Sequence, residues 1–158
     1  MAPEPTPAHR PAWPRRAVVT AGMPYGNKNL HFGHVGGVFI PADFFARFLR
    51  DLLGRENVLF VSGTDCYGSP IMESYRKLRD EAGCDLSILN YVQKNHDKQA
   101  ATLDAYDVAC DFFGGSALEP AAHVHAQTTA EIIDRCARPA CSRSARPCSS
   151  TMPRQASS

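Results

Sequence analysis

Met23-Pro24-Tyr25-Gly26-Asn27-Lys28-Asn29-Leu30-His31-Phe32-Gly33-His34 separates a short apolar run, Ala17 to Gly22, from a long segment with helical apolar spacing. It therefore reads as a strand-to-helix turn. His31 and His34 stand three residues apart with Gly33 between them, which puts both imidazoles on one side of a helix's first turn. There the unpaired backbone N–H groups and the positive end of the helix dipole favour bound phosphate. A His-x-Gly-His match somewhere in a chain with 6 His and 11 Gly has a chance on the order of one in a hundred. The weight of the reading rests on what surrounds it.

Upstream, Ala17-Val18-Val19-Thr20-Ala21-Gly22 is short, apolar and β-branched at its centre, as a buried parallel strand should be. Downstream, Phe39, Ala42, Phe45, Ala46, Leu49 and Leu53 recur at helical spacing with Arg47, Arg50 and Asp51 between them. This predicts a helix from about Gly33 to Leu53. Pro41 falls inside it, where it removes a hydrogen bond and clashes with the preceding turn. Either a kink or a fresh helix start is expected there. Val58-Leu59-Phe60-Val61 reads as a second buried strand, and Ser62 to Pro70 as a loop. Pro70 suits the first turn of a helix ending near Ala82, with Gly83 as its left-handed cap. Asp85 or Ser87 is placed to cap a helix from about Leu86 to Tyr106, whose apolar face uses Ile88, Leu89, Val92 and Leu103. Val108 to Phe113 reads as a third strand and Glu119 to Asp134 as a last helix, with Val124, Ile132 and Ile133 as its apolar residues.

Strand, crossover helix, strand, helix is the pattern of a parallel α/β sheet with right-handed connections. Ligands of such sheets bind beyond the carboxyl ends of the strands. The histidine loop follows the first strand and Gly63-Thr64-Asp65 follows the second, so both chemically suggestive loops are expected at the same end.

With these loops in view, Pro24-Tyr25-x-Asn27-x-x-Leu30-His31-x-Gly33-His34 after a strand resembles the signature of class I aminoacyl-tRNA synthetases, most nearly the methionyl-tRNA synthetases. Gly63-Thr64-Asp65-x-x-Gly68 is similar to a second pattern of that family, in which the acidic residue lies near the amino acid and adenylate. The resemblance covers about residues 17–134. It implies an incomplete Rossmann-like nucleotide-binding fold, a parallel sheet with helices on both faces, from the amino-terminal part of a catalytic domain. It implies a methionine–tRNA ligase, with ATP and its Mg2+, methionine and tRNA as partners. His31 and His34 match the catalytic signature histidines that hydrogen-bond the triphosphate. Gly33 matches the position that lets the nucleotide lie close to the helix. Met23 and Tyr25 match the walls of the methionine pocket, and Asp65 matches the site of the substrate's ammonium group. An aspartate in a turn also commonly bonds its own backbone. Where the family usually has Glu-His, this chain has Cys66-Tyr67, and Cys66 is expected to be a buried, inert thiol.

No metal ligand can be named. Zinc belongs to the family's connective insertion, which has no counterpart here, as the Lys-Met-Ser-Lys-Ser-type loop and the anticodon-binding domain have none. The 158 residues are therefore expected to be a fragment inactive alone. The alternatives are a small nucleotide-binding or nucleotidyl-transferring protein of the same superfamily, or a non-catalytic interaction protein derived from a synthetase.

The totals fit one domain: 158 residues, 44% hydrophobic and 21% charged, with a net charge of +1. That charge gives no general argument for a nucleic-acid surface. The six cysteines are not spaced as a disulfide framework, and no export signal or membrane-length apolar run is present, so a cytoplasmic protein is expected. Residues 1–16, with five prolines and little apolar content, are expected to be a mobile arm. Residues 135–158 lack acidic, aromatic and branched aliphatic side chains and are expected to carry no packed element. Cys136, Cys141 and Cys148 lack the paired spacing of a zinc knuckle. A shift of reading frame near Asp134 is the favoured explanation, ahead of a nucleic-acid-binding arm.

Overall fold

The computed structural model describes residues 13–83 and 85–137. The readings made for residues 1–12, Cys84 and residues 138–158 lie outside it. Three parallel strands form one sheet in the order β1 (Ala17–Thr20), β2 (Val58–Thr64) and β3 (Phe112–Gly115). Ala17 pairs with Val58 and Thr20 with Val61, while Val61 pairs with Phe112 and Thr64 with Gly115. The helices are α1 (Phe32–His34), α2 (Ile40–Leu53), α3 (Ser69–Ala82), α4 (Ile88–Ala105) and α5 (Ala121–Ala137). The chain divides into two compact units between Ala122 and His123. α5 begins two residues before that boundary and has no buried residue, and Val124, Ile132 and Ile133 are exposed. Among the described residues no helix is long and apolar enough to cross a membrane.

The proline problem is solved by a change of helical register. Between α1 and α2 a π-helical segment, Val35–Phe39, carries the chain, and Pro41 sits in the first turn of α2. Having no N–H, Pro41 cannot close the ordinary bond to the preceding turn. One extra residue per turn just upstream absorbs the defect without breaking the helical run. The helical run thus continues through Pro41, where the sequence alone predicts a kink or a fresh start.

β2 runs three residues further than its sequence suggests, through Ser62-Gly63-Thr64. Gly63 permits this, because a Cβ there would lie 2.2 Å from the Gly114 carbonyl oxygen. β3 correspondingly begins at Phe112, and Val108 packs in the core instead of pairing. α3 and α4 begin and end within two residues of expectation. Gly83 takes the left-handed conformation, and the Ser87 hydroxyl accepts the Asn90 N–H at 3.1 Å. The core is Val19, Val58 and Phe60 from one face of the sheet, packed with Phe39, Ala46 and Leu49 before and along α2 and Leu103 of α4. On the opposite face Val18, Leu59 and Phe112 are exposed.

One flank of α2 holds the segment that leads into β3. Asp43 and Arg50 are buried, although the helical pattern places charged residues outside. Asp43 accepts the Ala109 N–H at 2.9 Å, and Arg50 donates to Asp111 at 2.7 Å and to the Ala109 carbonyl at 3.1 Å. Asp111 also accepts the Phe60 N–H at 2.8 Å. Burial pushes the Asp111 carboxyl up, but the Phe60 N–H and the Arg50 guanidinium outweigh it and hold the group below its ordinary value. A carboxylate depressed in the folded state contributes stability above its unfolded value, lost as the pH falls through the folded one. Asp111→Asn should therefore cost about 3 kcal/mol at pH 7, since it strands the Arg50 charge. It should also remove part of the acid-induced loss below pH ~4. Urea melts at a series of pH values measure both.

Candidate functional site

The two loops beyond β1 and β2 are joined directly. Gly26 donates its N–H to the Asp65 carbonyl and Asp65 donates its N–H to the Pro24 carbonyl, both at 2.8 Å, so Tyr25 and Asp65 pair as an isolated parallel bridge. The close approach needs a glycine. A Cβ on Gly26 would stand 2.9 Å from Val92 Cγ1 and 3.0 Å from Thr64 Cγ2.

From this bridge the chain turns through Asn27 to Leu30 into the helix start. His31 is the N-cap, and its Nδ1 accepts the Gly33 N–H at 3.1 Å. His34 reaches back, its Nδ1 accepting the His31 N–H at 3.3 Å. The pair is a capping box made of two imidazoles, with ring centroids 3.9 Å apart and planes inclined by 35°. Because both Nδ1 atoms accept, each neutral ring carries its proton on Nε2. Two Nε2–H donors therefore stand side by side at the amino end of a helical run from Phe32 to Leu53. Gly33 leaves room for the His31 ring, which a Cβ there would crowd at 3.0 Å from Cε1. Partial burial, the neighbouring His31 and then Lys28 lower the His34 pKa from its usual 6.5.

The remaining residues singled out in the sequence fare differently. One Asp65 carboxylate oxygen, Oδ1, accepts the Tyr67 N–H at 3.0 Å, so this side chain does shape its own turn. Met23 and Tyr25 are about half exposed. An apolar hollow of about 310 Å³ does open beside the loop, but its walls are Cys66, Tyr67, Ile71, Met72, Leu89 and Val92. Cys66 is buried, with its N–H on the Ser116 hydroxyl at 2.9 Å and its thiol on the Thr64 carbonyl.

The sequence reading missed the polar stripe on α4. Tyr91, Asn95 and Gln99, four residues apart, are all buried, while the expected Ile88 and Leu89 are exposed. The Tyr91 hydroxyl donates to the Asn27 carbonyl at 2.9 Å and the Asn95 amide to the Gly26 carbonyl at 3.1 Å. Gln99 donates to the Tyr25 and Lys28 carbonyls, each at 2.9 Å. The i, i+4, i+8 spacing was a visible signal, but polar residues at helical period ordinarily mark a solvent face.

Residues 17–139 match the family model described as tRNA synthetases class I (M). The chain is 38% identical over 100 residues to the methionine–tRNA ligase of Chlamydia caviae, covering 63% of this chain and 17% of that protein. It is 38% identical over 103 residues to the methionine–tRNA ligase of Thermococcus onnurineus, covering 65% of this chain and 13% of that one. Among solved structures it resembles the Mycobacterium tuberculosis methionyl-tRNA synthetase in complex with methionyl-adenylate. The TM-score is 0.52 at 27% identity, over 65% of this chain and 18% of that one. The chain thus spans less than a fifth of the length of these relatives.

The lowered His34 pKa fixes the sign of a pH effect. An imidazole that resists protonation in the folded state lets the unfolded chain take up the proton first, so stability falls as the pH drops through and below 6.5. The slope of urea stability against pH in this window should be smaller in His34→Gln than in the wild-type chain.

Proposed function

The chain belongs to the class I tRNA synthetases of the methionine type, and from that premise we propose that His31, Gly33 and His34 form the ATP-phosphate cradle of a methionine–tRNA ligase. The observation that carries this reading is the reciprocal imidazole cap, whose hydrogen-bond pattern leaves two Nε2–H donors together at a helix start, 3.9 Å between ring centroids. Neutral donors of this kind hydrogen-bond phosphate oxygens without the mutual repulsion of two imidazolium ions. The helix terminus adds its own N–H groups and dipole.

In the reaction, methionine's carboxylate attacks the α-phosphorus of ATP and pyrophosphate leaves. The methionyl group then passes to the ribose at the 3′ end of tRNA. The task of this part of the chain is to hold the triphosphate in line and to stabilise charge growing on its oxygens. Asp65 is assigned to the methionine ammonium group, an assignment supported by its bridge to Tyr25 at the same strand ends. Met23 and Tyr25 are assigned to one wall of the methionine site, which further chain would have to close. Magnesium would arrive with ATP on its phosphate oxygens; among the described residues no group of three His, Cys, Asp or Glu could hold a metal. The matches to methionine–tRNA ligases favour this reading over a separate small nucleotidyl-transferring enzyme.

Calorimetric titration with Mg-ATP tests the cradle. His34→Ala should weaken binding about tenfold, the worth of one hydrogen bond to a charged acceptor. Unchanged affinity would remove the phosphate role. The 158 residues alone are expected to give no methionine-dependent ATP–pyrophosphate exchange, and exchange well above background would show that they suffice for chemistry.

A further inference from the structure

We propose that Gln99 is a positioning residue: its side-chain amide, oriented by Thr64 and His96, sets the turn that delivers His31 and His34. Gln99 is fully buried, and both of its amide hydrogens are committed, to the Tyr25 and Lys28 carbonyls at 2.9 Å each. A single side chain therefore grips the first and last carbonyls of the four-residue turn that ends three residues before His31. Its Oε1 is left to accept, and it accepts the Thr64 hydroxyl at 2.7 Å. That hydroxyl has one hydrogen, so its contact with His96 Nδ1 at 2.8 Å must be an acceptance, which puts the His96 proton on Nδ1. The His96 ring is held by stacking on Phe113, with centroids 5.2 Å apart and planes at 11°. Its burial lowers the imidazole pKa from its ordinary value, against the smaller opposing effect of Asp97.

Proton order thus runs one way, from His96 to Thr64 to Gln99 to the two loop carbonyls. No member can be turned without stranding a buried polar atom. Thr64 belongs to β2, His96 and Gln99 to α4, and the carbonyls to the turn after β1, so the chain ties three elements at one end of the sheet. The effect on nucleotide affinity rests on the phosphate-cradle reading; the effect on the turn does not.

The experiment compares Gln99→Met, which removes the donors at similar volume, with Leu103→Ala, which opens the core one turn further along α4. At matched loss of stability, Gln99→Met should speed amide exchange at Gly26 and Gly33 on the order of tenfold more than Leu103→Ala. It should also weaken Mg-ATP binding about tenfold where Leu103→Ala does not. Thr64→Val should show part of the effect and Thr64→Ser should restore it. In the wild-type chain, imidazole ¹⁵N shifts at neutral pH should show His96 as the Nδ1–H tautomer, against Nε2–H for His31 and His34. Equal exchange in the Gln99 and Leu103 variants, or a His96 proton on Nε2, overturns the proposal. If the wild-type chain fails to bind ATP, the cradle reading fails, while the exchange and tautomer results still decide the role of Gln99.

Discussion

Two backbone hydrogen bonds, Gly26 N–H to the Asp65 carbonyl and Asp65 N–H to the Pro24 carbonyl, extend strand-like pairing past the ends of β1 and β2 into the loops that follow. Everything at this end of the sheet depends on that extension. It holds the histidine loop and the aspartate loop at a fixed separation, and it requires the absent side chain of Gly26. Loops of this kind usually run over a surface with water satisfying their carbonyls. Here α4 covers them, so their carbonyls must find protein donors. Tyr91, Asn95 and Gln99 supply those donors from inside the molecule.

The imidazole pair follows from the same constraint at one remove. A helix start needs acceptors for its first N–H groups, and serine, threonine, aspartate or asparagine is the usual choice. Two histidines supply those acceptors here through Nδ1 and leave a second nitrogen on each ring free of that duty. The cap uses Nδ1 of each ring, which leaves Nε2 for the proposed phosphate contact. A carboxylate cap would fill the first role but would repel a phosphate placed at this helix start.

At the other end of the sheet, Asp43, Arg50 and Asp111 staple the chain leading into β3 against α2. The buried Arg50 contacts a carbonyl and a carboxylate from that segment, and Asp111 also accepts the β2 backbone N–H of Phe60. This sets the register that brings Gly63 against Gly114 and lets β2 continue to Thr64, the residue that meets His96 and Gln99.

Local order and apolar periodicity by themselves determined the parallel α/β pattern, the strand-to-helix turn with its histidine pair, the disturbance at Pro41 and the Gly83 cap, and narrowed the start of α4 to Asp85 or Ser87. These are properties of neighbours along the chain, where backbone sterics and hydrogen-bond supply leave few choices. The same order placed both loops at one end of the sheet, because parallel strands joined by crossovers present their carboxyl ends together. Tertiary structure alone decided that Asp43, Arg50, Asn95 and Gln99 are buried. Polar side chains at helical spacing look like a solvent face until the carbonyls, carboxylate and N–H they meet, far away in sequence, are in position. It also decided the extra length of β2, since the clash that only glycine avoids at Gly63 comes from Gly114. Contacts distant in sequence carry no periodic signature, and the burial of a hydrogen-bonded amide is visible only when its partners are.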